Sequence, residues 1–349
     1  MPDPAVWFPA VRAGTGADVF TKRLATGLRQ RGIRTEIRWL PLRAEYAPWS
    51  VRVPKPPEWA TVVHVNSWLH PRFLPAHLPV VATLHHSVHH PDLEPYKGRL
   101  RGLYHQLWIR SVERRTLRRS DVVVAVSRFV ADTARRTLFD RPMKVIYNGV
   151  DTERFRPSTQ RLPHKPFRLL YVGSWISRKG VDLLAPIMRE LGDGFELCYT
   201  GGPAAQRDRR DMPPNMRDIG RLQGDDAVVA AMQDADAFLF PSRSEGHPLV
   251  VIEAMACGVP AIATRGSSLV EVVEDGLNGT LCRRDDVTAF AEAARNTACD
   301  IDTYEQLRSH ARTLVCSRFS VDAMIADYVK CYVTCTTGTT YQKKLPKRP

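Results

Sequence analysis

The sequence contains no apolar run of membrane-spanning length, and no basic segment followed by an apolar one near its N-terminus. A membrane helix needs about 20 apolar residues, whereas the longest apolar runs, at 79–84 and 121–126, have only the length of a strand. Nothing in the N-terminal residues is typical of a secreted protein. We therefore expect a cytoplasmic protein.

Cysteine pairs at metal-binding spacings are also missing. The seven cysteines include no Cys-x-x-Cys pair and no spacing typical of zinc ligands. Low-complexity tracts and internal repeats are absent from the sequence as well. We predict reduced thiols that lie mostly in the core, and no bound metal.

Length and composition indicate two globular domains. A chain of 349 residues exceeds what one hydrophobic core usually covers. Its 44% hydrophobic and 25% charged residues are typical of an ordinary folded protein. Two domains with a cleft between them are the first expectation.

The net charge of +13 is concentrated in the first half of the chain. Residues 1–160 contain 26 Lys and Arg against 13 Asp and Glu, whereas residues 161–349 contain 24 of each. A basic half predicts an anionic partner such as nucleic acid, an acidic membrane surface or a phosphorylated substrate. No zinc finger or aromatic RNA-binding motif accompanies the arginines, which argues against nucleic acid.

Strand-like apolar runs alternate with helical stretches in both halves, which predicts an α/β fold of two doubly wound parallel sheets. The predicted strands are Thr61–Val65, Val80–Leu84, Val122–Val126, Lys144–Tyr147, Phe167–Val172, Phe195–Thr200, Ala237–Phe240 and Ala261–Thr264. The predicted helices are Asp18–Arg31, Arg99–Ser120, Arg128–Leu138, Val181–Leu191, Ala227–Gln233, Leu249–Cys257 and Val287–Thr297.

The proline-rich segment Arg156–Pro166 is the predicted linker between the domains. We predict an N-terminal domain over 1–156 and a C-terminal domain over 165–319. A helix at about 320–335 is expected to pack back on the first domain, and 336–349 to be a disordered basic tail. Ligands of such folds bind beyond the carboxyl ends of the strands.

Residues 240–260 contain the pattern with the clearest chemistry. A strand ends at Phe240, a polar loop follows, and Pro248 is expected in the first turn of the next helix, whose start can bind a diphosphate. Glu245 lies in the loop and Glu253 inside the helix, so one carboxylate can face a sugar and the other a ribose. Taken singly, they could equally be an exposed loop carboxylate and one that suits the helix dipole.

This string resembles the Glu-x7-Glu signature of the retaining glycosyltransferases of family 4, which have the two-Rossmann-domain fold called GT-B. Further matches follow in order along nearly the whole chain. They are Gly14–Asp18, Ala82–His85, Ala125–Ser127, Val145–Asp151, Tyr171–Gly173, Arg178–Gly180, Glu271 and Asp275–Gly279.

The resemblance implies a set of site residues and no metal or resident cofactor, with a nucleoside-diphosphate sugar as co-substrate. It also implies that the N-terminal domain binds the acceptor and the C-terminal domain the nucleotide sugar. Glu245 would hold hydroxyls of the donor sugar, Glu253 those of the ribose, and Lys179 would neutralise the diphosphate. The implied catalytic residues are His85, Arg178, Lys179 and Glu245. The implied donor-binding residues are Gly16, Gly173, Ser174, Glu245, Gly246, His247, Pro248, Leu249, Val250 and Glu253.

Two positions depart from the family's pattern. Ser174 stands where an arginine is common, and Arg178 is expected to supply the second cation. His247 and Pro248 replace a commoner Phe-Gly pair, which removes one N–H that could contact the donor. The nucleotide base, the sugar, the acceptor and the pathway therefore stay open.

Four histidines between positions 85 and 90 raise the question of a metal site. His85 and His89 have the spacing of helical zinc ligands, as do His86 and His90. The segment follows a strand and meets Pro91, so we expect no helix and no metal. By resemblance His85 orients the reacting groups; the alternative is a loop histidine bonded to the backbone.

Residues 99–119 combine seven arginines with apolar side chains at helical spacing. Such a helix can lie on anionic lipid, and several family members are peripheral membrane enzymes. Equally, the apolar stripe can pack on the sheet while the arginines are solvated. The apolar residues are Leu100, Leu103, Tyr104, Leu107 and Trp108.

The expected function is that of a retaining, hexosyltransferase-like enzyme that acts in bacterial cell-surface polysaccharide or glycolipid synthesis, at the inner face of the plasma membrane. The acceptor would be a sugar, a lipid-linked saccharide or a small molecule. Alternatives are glycosylation of a secondary metabolite, a sugar-nucleotide epimerase or phosphorylase of the same fold, and a non-enzymatic membrane-binding adaptor.

Overall fold

The computed structural model of the chain describes residues 4–158 and 162–336. The described residues of Met1–Asn148 and Val321–Pro349 form one compact unit, unit 1, and those of Gly149–Ser320 form a second, unit 2. Each unit is built on a six-stranded sheet in which every strand pair is parallel. Helices or 3-10 turns lie in the connections between consecutive strands of each sheet, because parallel pairing requires a crossover.

The sheet of unit 1 has the strand order β2-β1-β3-β4-β5-β6. Its strands are β1 Val6–Val11, β2 Thr35–Leu40, β3 Val62–Asn66, β4 Val80–Leu84, β5 Val122–Ala125 and β6 Lys144–Val145. Its helices are α1 Gly16–Gln30, α2 Arg43–Tyr46, α3 Arg99–Tyr104, a π-helical turn His105–Ile109, α4 Arg110–Arg119, α5 Arg128–Thr137 and α11 Val321–Thr336, with 3-10 turns at Pro48–Ser50, Pro71–Phe73 and Pro91–Tyr96.

Both faces of this sheet are buried because neighbouring residues of each strand point to opposite sides. Val62 packs in a cluster with α1 and α11, whereas Val63 packs in a cluster with α4 and α5. The helix α11 joins unit 1 through apolar contacts and through Tyr332, whose hydroxyl lies 2.6 Å from His64 Nδ1 inside the core.

The sheet of unit 2 has the strand order β12-β11-β10-β7-β8-β9. Its strands are β7 Phe167–Tyr171, β8 Phe195–Tyr199, β9 Met216–Asp218, β10 Ala237–Phe240, β11 Ala261–Thr264 and β12 Gly279–Cys282. Its helices are α6 Val181–Leu191, α7 Gly224–Gln233, α8 Leu249–Ala256, α9 Val287–Cys299 and α10 Ile301–Arg318, with 3-10 turns at Ser177–Lys179, Gly192–Gly194, Gly202–Ala205, Asp208–Asp211 and Ser267–Glu271.

Each sheet has one point where the strand order reverses. In unit 2 this switch point lies between β7 and β10, which are neighbours although the helices α6 and α7 and the strands β8 and β9 separate them along the chain. The loops that follow β7 and β10 leave the sheet on opposite faces there and frame a crevice, which is the usual ligand site of such sheets. These are the loops that contain Lys179 and Glu245.

The structure differs from the sequence prediction in several elements. The single helix predicted over Arg99–Ser120 is interrupted by the π-helical turn and ends at Arg119. Residues Gly149–Arg156, assigned from sequence to the first domain, group with unit 2, where Arg312 bonds the carbonyls of Thr152 and Phe155. The strands β1, β2, β9 and β12 and the helix α10 were not predicted.

Two predicted segments lie partly or wholly outside the described residues. Residues 159–161 of the linker belong to this group, as does the tail from 337 onward. Within 4–158 and 162–336, no helix is long and apolar enough to span a membrane.

Candidate functional site

The loop Pro241–Pro248 connects a fully buried strand, β10, to the helix α8. The sequence predicted Pro248 in the first turn of α8, but the structure places it at the N-cap. Its missing N–H therefore costs the helix no bond. The amides of Val251 and Ile252 bond to the Pro248 carbonyl. The amides of Leu249 and Val250 precede these bonds and point out of the helix start, where a diphosphate is favoured.

Glu245 is buried in this loop, so the interpretation as an exposed loop carboxylate is wrong. Its Oε1 lies 2.6 Å from Lys179 Nζ and 3.9 Å from Arg178 Nη1, and it accepts a bond from the Ser242 hydroxyl. Burial alone would raise the pKa of Glu245, but the charges of Lys179 and Arg178 outweigh it and lower that pKa. The carboxylate is therefore ionised at neutral pH.

Lys179 ends the 3-10 turn Ser177–Lys179 that precedes α6. Its Nζ also lies 5.2 Å from the centroid of the Phe240 ring, in cation–π geometry. Burial lowers the pKa of Lys179, and the charge of Glu245 partly opposes that shift. Lys179 is thus a largely enclosed cation held by Glu245.

Gly180 allows the Lys179 loop to approach the Glu245 loop closely. It has a left-handed φ of +72°, and a Cβ at this position would lie 2.1 Å from the Pro241 carbonyl oxygen. Only glycine satisfies both conditions. The backbone contact places Lys179 and Glu245 side by side although 66 residues separate them in the chain.

The remaining predicted donor-binding residues of unit 2 differ in their contacts and burial. Arg178 Nη1 bonds the Ser244 carbonyl, whereas Ser174, where the family commonly has arginine, is exposed. Gly173 donates its amide to Thr200 Oγ1 at 3.0 Å. Glu253 is buried in the second turn of α8. The prediction that Arg178 substitutes for the missing arginine stays a prediction.

His247 differs most from a typical donor-loop residue. Its ring is buried and lies 5.3 Å, edge-on, from the ring of Phe319. Burial and the nearby charge of Arg318 lower the pKa of His247 to about 3, so the imidazole is neutral at physiological pH. It occupies an aromatic site, as the phenylalanine common at this position would.

In unit 1 the predicted residues follow β1 and β4. Gly16 begins α1, and the preceding loop is closed by Asp18, whose carboxylate accepts the amides of Ala13 and Gly14 at 3.1 and 2.8 Å. His85 lies just beyond β4 with Nε2 2.8 Å from Asn66 Oδ1, so its partner is a side chain and not the backbone. Burial lowers the pKa of His85 to about 4, which keeps it neutral.

The neighbouring histidines point to different partners. His89 Nε2 lies 3.2 Å from Glu113, whereas His90 Nδ1 caps the following turn through the amide of Asp92. In the part of the chain that the structure describes, no three His, Cys, Asp or Glu side chains form a group that could hold a metal ion.

Sequence reasoning missed several residues that organise the site. Asp218, at the end of β9, accepts the amides of Gly201, Gly202 and Gly220 and so joins the loops after β8 and β9. Ser242 and Arg243 lie inside the string 240–260 but were not predicted. The Ser242 hydroxyl bonds the nearby Glu245, whereas Arg243 has partners far away in the sequence, Asp182 and Asp285, which no local pattern reveals.

Two family models match consecutive parts of the chain. Residues 57–154 match the model described as "Glycosyltransferase Family 4", and residues 166–300 match the one described as "Glycosyl transferases group 1". The first match falls mainly in unit 1, and the second falls wholly in unit 2.

Individual proteins agree with these matches. An uncharacterised glycosyltransferase of Methanocaldococcus jannaschii is 30% identical over 218 residues, which cover 62% of this chain and 57% of that protein, so the match spans less than two thirds of that relative. The glycogen synthase of Mycobacterium tuberculosis is 29% identical over 304 residues, covering 82% of this chain and 72% of the enzyme.

A solved structure has the same fold. HepE from Anabaena, determined with UDP and glucose, has a TM-score of 0.73 at 17% identity over 94% of this chain and 99% of that one. The predicted class, two Rossmann-like parallel-sheet units of GT-B type, is confirmed. Since both units match models of one enzyme group and the ordered motifs run through both, the chain belongs to glycosyltransferase family 4.

Proposed function

We propose that the protein is a retaining glycosyltransferase that moves a sugar from a nucleoside-diphosphate sugar to an acceptor hydroxyl. The observation that carries this proposal is the enclosed Lys179–Glu245 pair at the switch point of the second sheet, beside the start of α8. A cation, a carboxylate and free helix amides in one crevice suit a ligand with a diphosphate at one end and hydroxyls at the other.

Once a donor replaces the contact between Lys179 and Glu245, the two residues would have separate functions. Lys179 would bind the diphosphate and stabilise the negative charge that develops as the bond from its oxygen to the anomeric carbon breaks. Glu245 would accept hydrogen bonds from sugar hydroxyls, and Glu253 from the ribose. Because each charge is released from the other only by a donor of this type, the two groups favour the complete nucleotide sugar over its parts.

In the transfer step the acceptor oxygen forms a bond to the anomeric carbon on the face that the diphosphate leaves, and the acceptor proton passes to the departing diphosphate. No separate nucleophile is then needed, and the anomeric configuration is retained. The neutral His85 of unit 1 is proposed to orient the reacting groups. Family resemblance supports this mechanism.

The relatives support the same donor class. HepE was determined with UDP and glucose, and another relative is named glycogen synthase. We propose a carbohydrate or lipid-linked acceptor, bound by unit 1, in the synthesis of a bacterial surface polysaccharide or glycolipid, on the cytoplasmic side of the membrane. An epimerase or phosphorylase would instead show no transfer to a separate acceptor.

Nucleotide binding tests the proposal directly. UDP, GDP, dTDP, ADP and their sugars are added, without metal, in a thermal-unfolding assay of the wild type and of Glu253→Ala. One base should raise the wild-type unfolding midpoint, since a ligand at 100 times its Kd stabilises the folded state by about 2.7 kcal/mol. Glu253→Ala should reduce that shift.

The matched control is Glu292→Ala, which removes an exposed glutamate from α9 in the same unit and should leave the shift unchanged. A wild-type midpoint that none of the nucleotides moves at millimolar concentration would contradict the proposal. Acceptor-dependent release of the nucleoside diphosphate then separates a transferase from an epimerase or an adaptor.

We also propose that unit 1 contacts an anionic membrane through one exposed surface. Leu100, Leu103 and Leu107, in α3 and the π-helical turn after it, are exposed, so the interpretation in which they pack on the sheet is wrong. Leu100 is 86% and Leu107 68% exposed. Beside them, Trp49 is 68% exposed and its ring meets that of Trp108 edge-on at 6.1 Å. The exposed apolar residues, which we call the leucine–tryptophan patch, are Leu42, Tyr46, Trp49, Leu100, Leu103 and Leu107.

Arginines of α4 adjoin this patch. Leu107 lines a groove of about 400 Å³ together with four arginines of α4. Apolar side chains at the level of the acyl chains and guanidinium groups at the level of the phosphates are the arrangement that interfacial helices use. The groove arginines are Arg110, Arg114, Arg115 and Arg118.

A further inference from the structure

Arg243 is a buried residue of the loop Pro241–Pro248, which also contains Glu245, and it faces the loop that contains Lys179. Its guanidinium binds Asp182 bidentately, with Nη1 and Nη2 each 2.7 Å from a carboxylate oxygen. The same Nη1 bonds the carbonyl of Ser177, and Nε lies 2.6 Å from Asp285 Oδ1. Bidentate pairing fixes the orientation of the planar group as well as its position.

These contacts join three separate segments around the proposed donor site. Ser177 and Asp182 flank Lys179 on either side, while Arg243 itself stands two residues before Glu245. The backbone amide of Arg243 also bonds the Arg178 carbonyl at 3.0 Å. Asp285, in the loop after β12, has a left-handed φ of +61°, a conformation that is unfavourable for aspartate unless its surroundings hold it.

The pair Lys179–Glu245 cannot by itself maintain this geometry during a reaction cycle. Under the proposed function the donor breaks their mutual bond, and the two loops then need another tie that the donor leaves intact. Through Ser177, Asp182 and Asp285, Arg243 connects the backbone segments that carry Lys179 and Glu245. Displacements of about 1 Å are enough to impair binding of a transition state.

We propose that Arg243 is a positioning residue for the donor site: its bonds to Asp182, Ser177 and Asp285 hold Lys179 and Glu245 at the spacing that a nucleotide sugar requires. That this geometry serves a donor site in unit 2 rests on the proposed function. The positioning of Lys179 by Arg243 is a separate claim about the free protein.

A matched control distinguishes positioning from a general contribution to stability. Arg168 of the same unit also bridges two carboxylates, with Nε 2.6 Å from Glu196 Oε1 and Nη1 2.6 Å from Asp234 Oδ2. It lies near the amino end of β7, at the edge of the sheet opposite to the donor loops. Arg243→Met and Arg168→Met therefore remove similar bonds at opposite ends of the strands.

The first experiment compares wild type, Arg243→Met, Arg243→Lys and Arg168→Met with the nucleotide sugar that stabilises the wild type most. We expect similar falls in the unfolding midpoint for the two methionine variants. Only Arg243→Met should lose about tenfold or more in affinity for the nucleotide sugar and in kcat, with partial recovery in Arg243→Lys. Equal affinity and turnover in Arg243→Met and Arg168→Met would overturn the proposal.

The second experiment needs no nucleotide and uses the free protein. The rate at which an amine-specific reagent modifies Lys179 is measured by peptide mass spectrometry. Arg243→Met and Asp182→Asn, the latter a same-size change at a half-exposed side chain, should both increase the rate, and Arg168→Met should not. An unchanged rate in both variants overturns the proposal, whereas failure of nucleotide binding in the wild type with an increased rate here contradicts only the proposed function.

Discussion

The charged residues of the donor loops are enclosed, and their environments decide their protonation. Lys179 and Glu245 hold each other ionised in a buried pair, which is stable only because each compensates the other's loss of water. His247, two residues further along the loop, is instead buried as a neutral ring against Phe319. The loop therefore contains part of an ion pair that the proposed donor would exchange and a buried ring without charge.

At the residue scale, His247→Phe should make the protein more resistant to acid. The folded state lowers the pKa of His247 to about 3 from an ordinary 6.5, so its neutral form contributes stability that is complete above pH 6.5 and is lost as the pH falls toward 3. Phenylalanine keeps the aromatic contact with Phe319 and removes the titration. Wild type should lose about 2 kcal/mol more than the variant between pH 6.5 and 5.

Urea unfolding of unit 2 at a series of pH values measures this difference. His310→Gln, at an exposed histidine of α10, is the control and should follow the wild-type curve. Parallel curves for wild type and His247→Phe would mean that His247 is protonated without cost, contrary to its burial.

At the scale of elements, short turns and not helices position the chemistry. The turn Ser177–Lys179 and the left-handed Gly180 redirect the chain into α6, and the backbone of Pro241 fills the space where a side chain would stand. The start of α8 lies at the end of the other loop. The two loops thus depend on a contact that tolerates no additional atom.

Gly180→Ala should separate the Lys179 and Glu245 loops. Alanine in a left-handed conformation costs about 1–2 kcal/mol by itself, and its Cβ would also lie 2.1 Å from the Pro241 oxygen, so the backbone must shift. We expect about a tenfold or greater loss of donor affinity, by titration calorimetry. Gly276→Ala, with φ +76° and no atom within 4 Å of a Cβ, is the control for conformational strain alone; an equal loss in both variants would contradict the steric argument.

At the scale of the whole molecule, charge and apolar surface are distributed unequally between the two halves of the chain. The excess of arginine and lysine lies in residues 1–160, and there the leucine–tryptophan patch adjoins the groove arginines of α4. Unit 2 contains the proposed donor site and is nearly neutral in its share of the sequence. The proposed membrane contact and the proposed donor binding therefore involve different residues and can be altered separately.

The double variant Leu103→Gln/Leu107→Gln should reduce binding to vesicles that contain phosphatidylglycerol, because each leucine transfers apolar area from water worth about 1.5–3 kcal/mol when fully buried. Co-sedimentation measures the bound fraction, which should also fall with salt as the arginine contribution is screened. Leu277→Gln, at an exposed leucine of unit 2, is the control. Binding that the double variant retains in full, or that is equal on phosphatidylcholine vesicles, would contradict membrane contact through this surface.

The sequence by itself determined the fold class and most central strands. Val80–Leu84, Ala237–Phe240 and Ala261–Thr264 were predicted with the bounds that the structure has, because a strand buried on both faces is a continuous apolar run. The edge strand β2 was not predicted because it alternates polar and apolar residues and has no continuous apolar run. The strand β1 was not predicted because it contains Pro9, which argues against a central strand. β1 is central nonetheless, since Pro9 lies beyond the residues that pair with β3.

The prediction that Lys179, Glu245 and Glu253 belong to a donor site also came from the sequence, because the motifs around them resemble those of the family. Only the tertiary structure decided that Lys179 and Glu245 neutralise each other, that Arg243 bridges Asp182 and Asp285, and that the leucines of the α3 region face outward. These features join residues far apart in the chain or depend on what covers a helix face. Local periodicity specifies how a segment folds. The partner of a side chain is specified by the packing of segments that are far apart in the sequence.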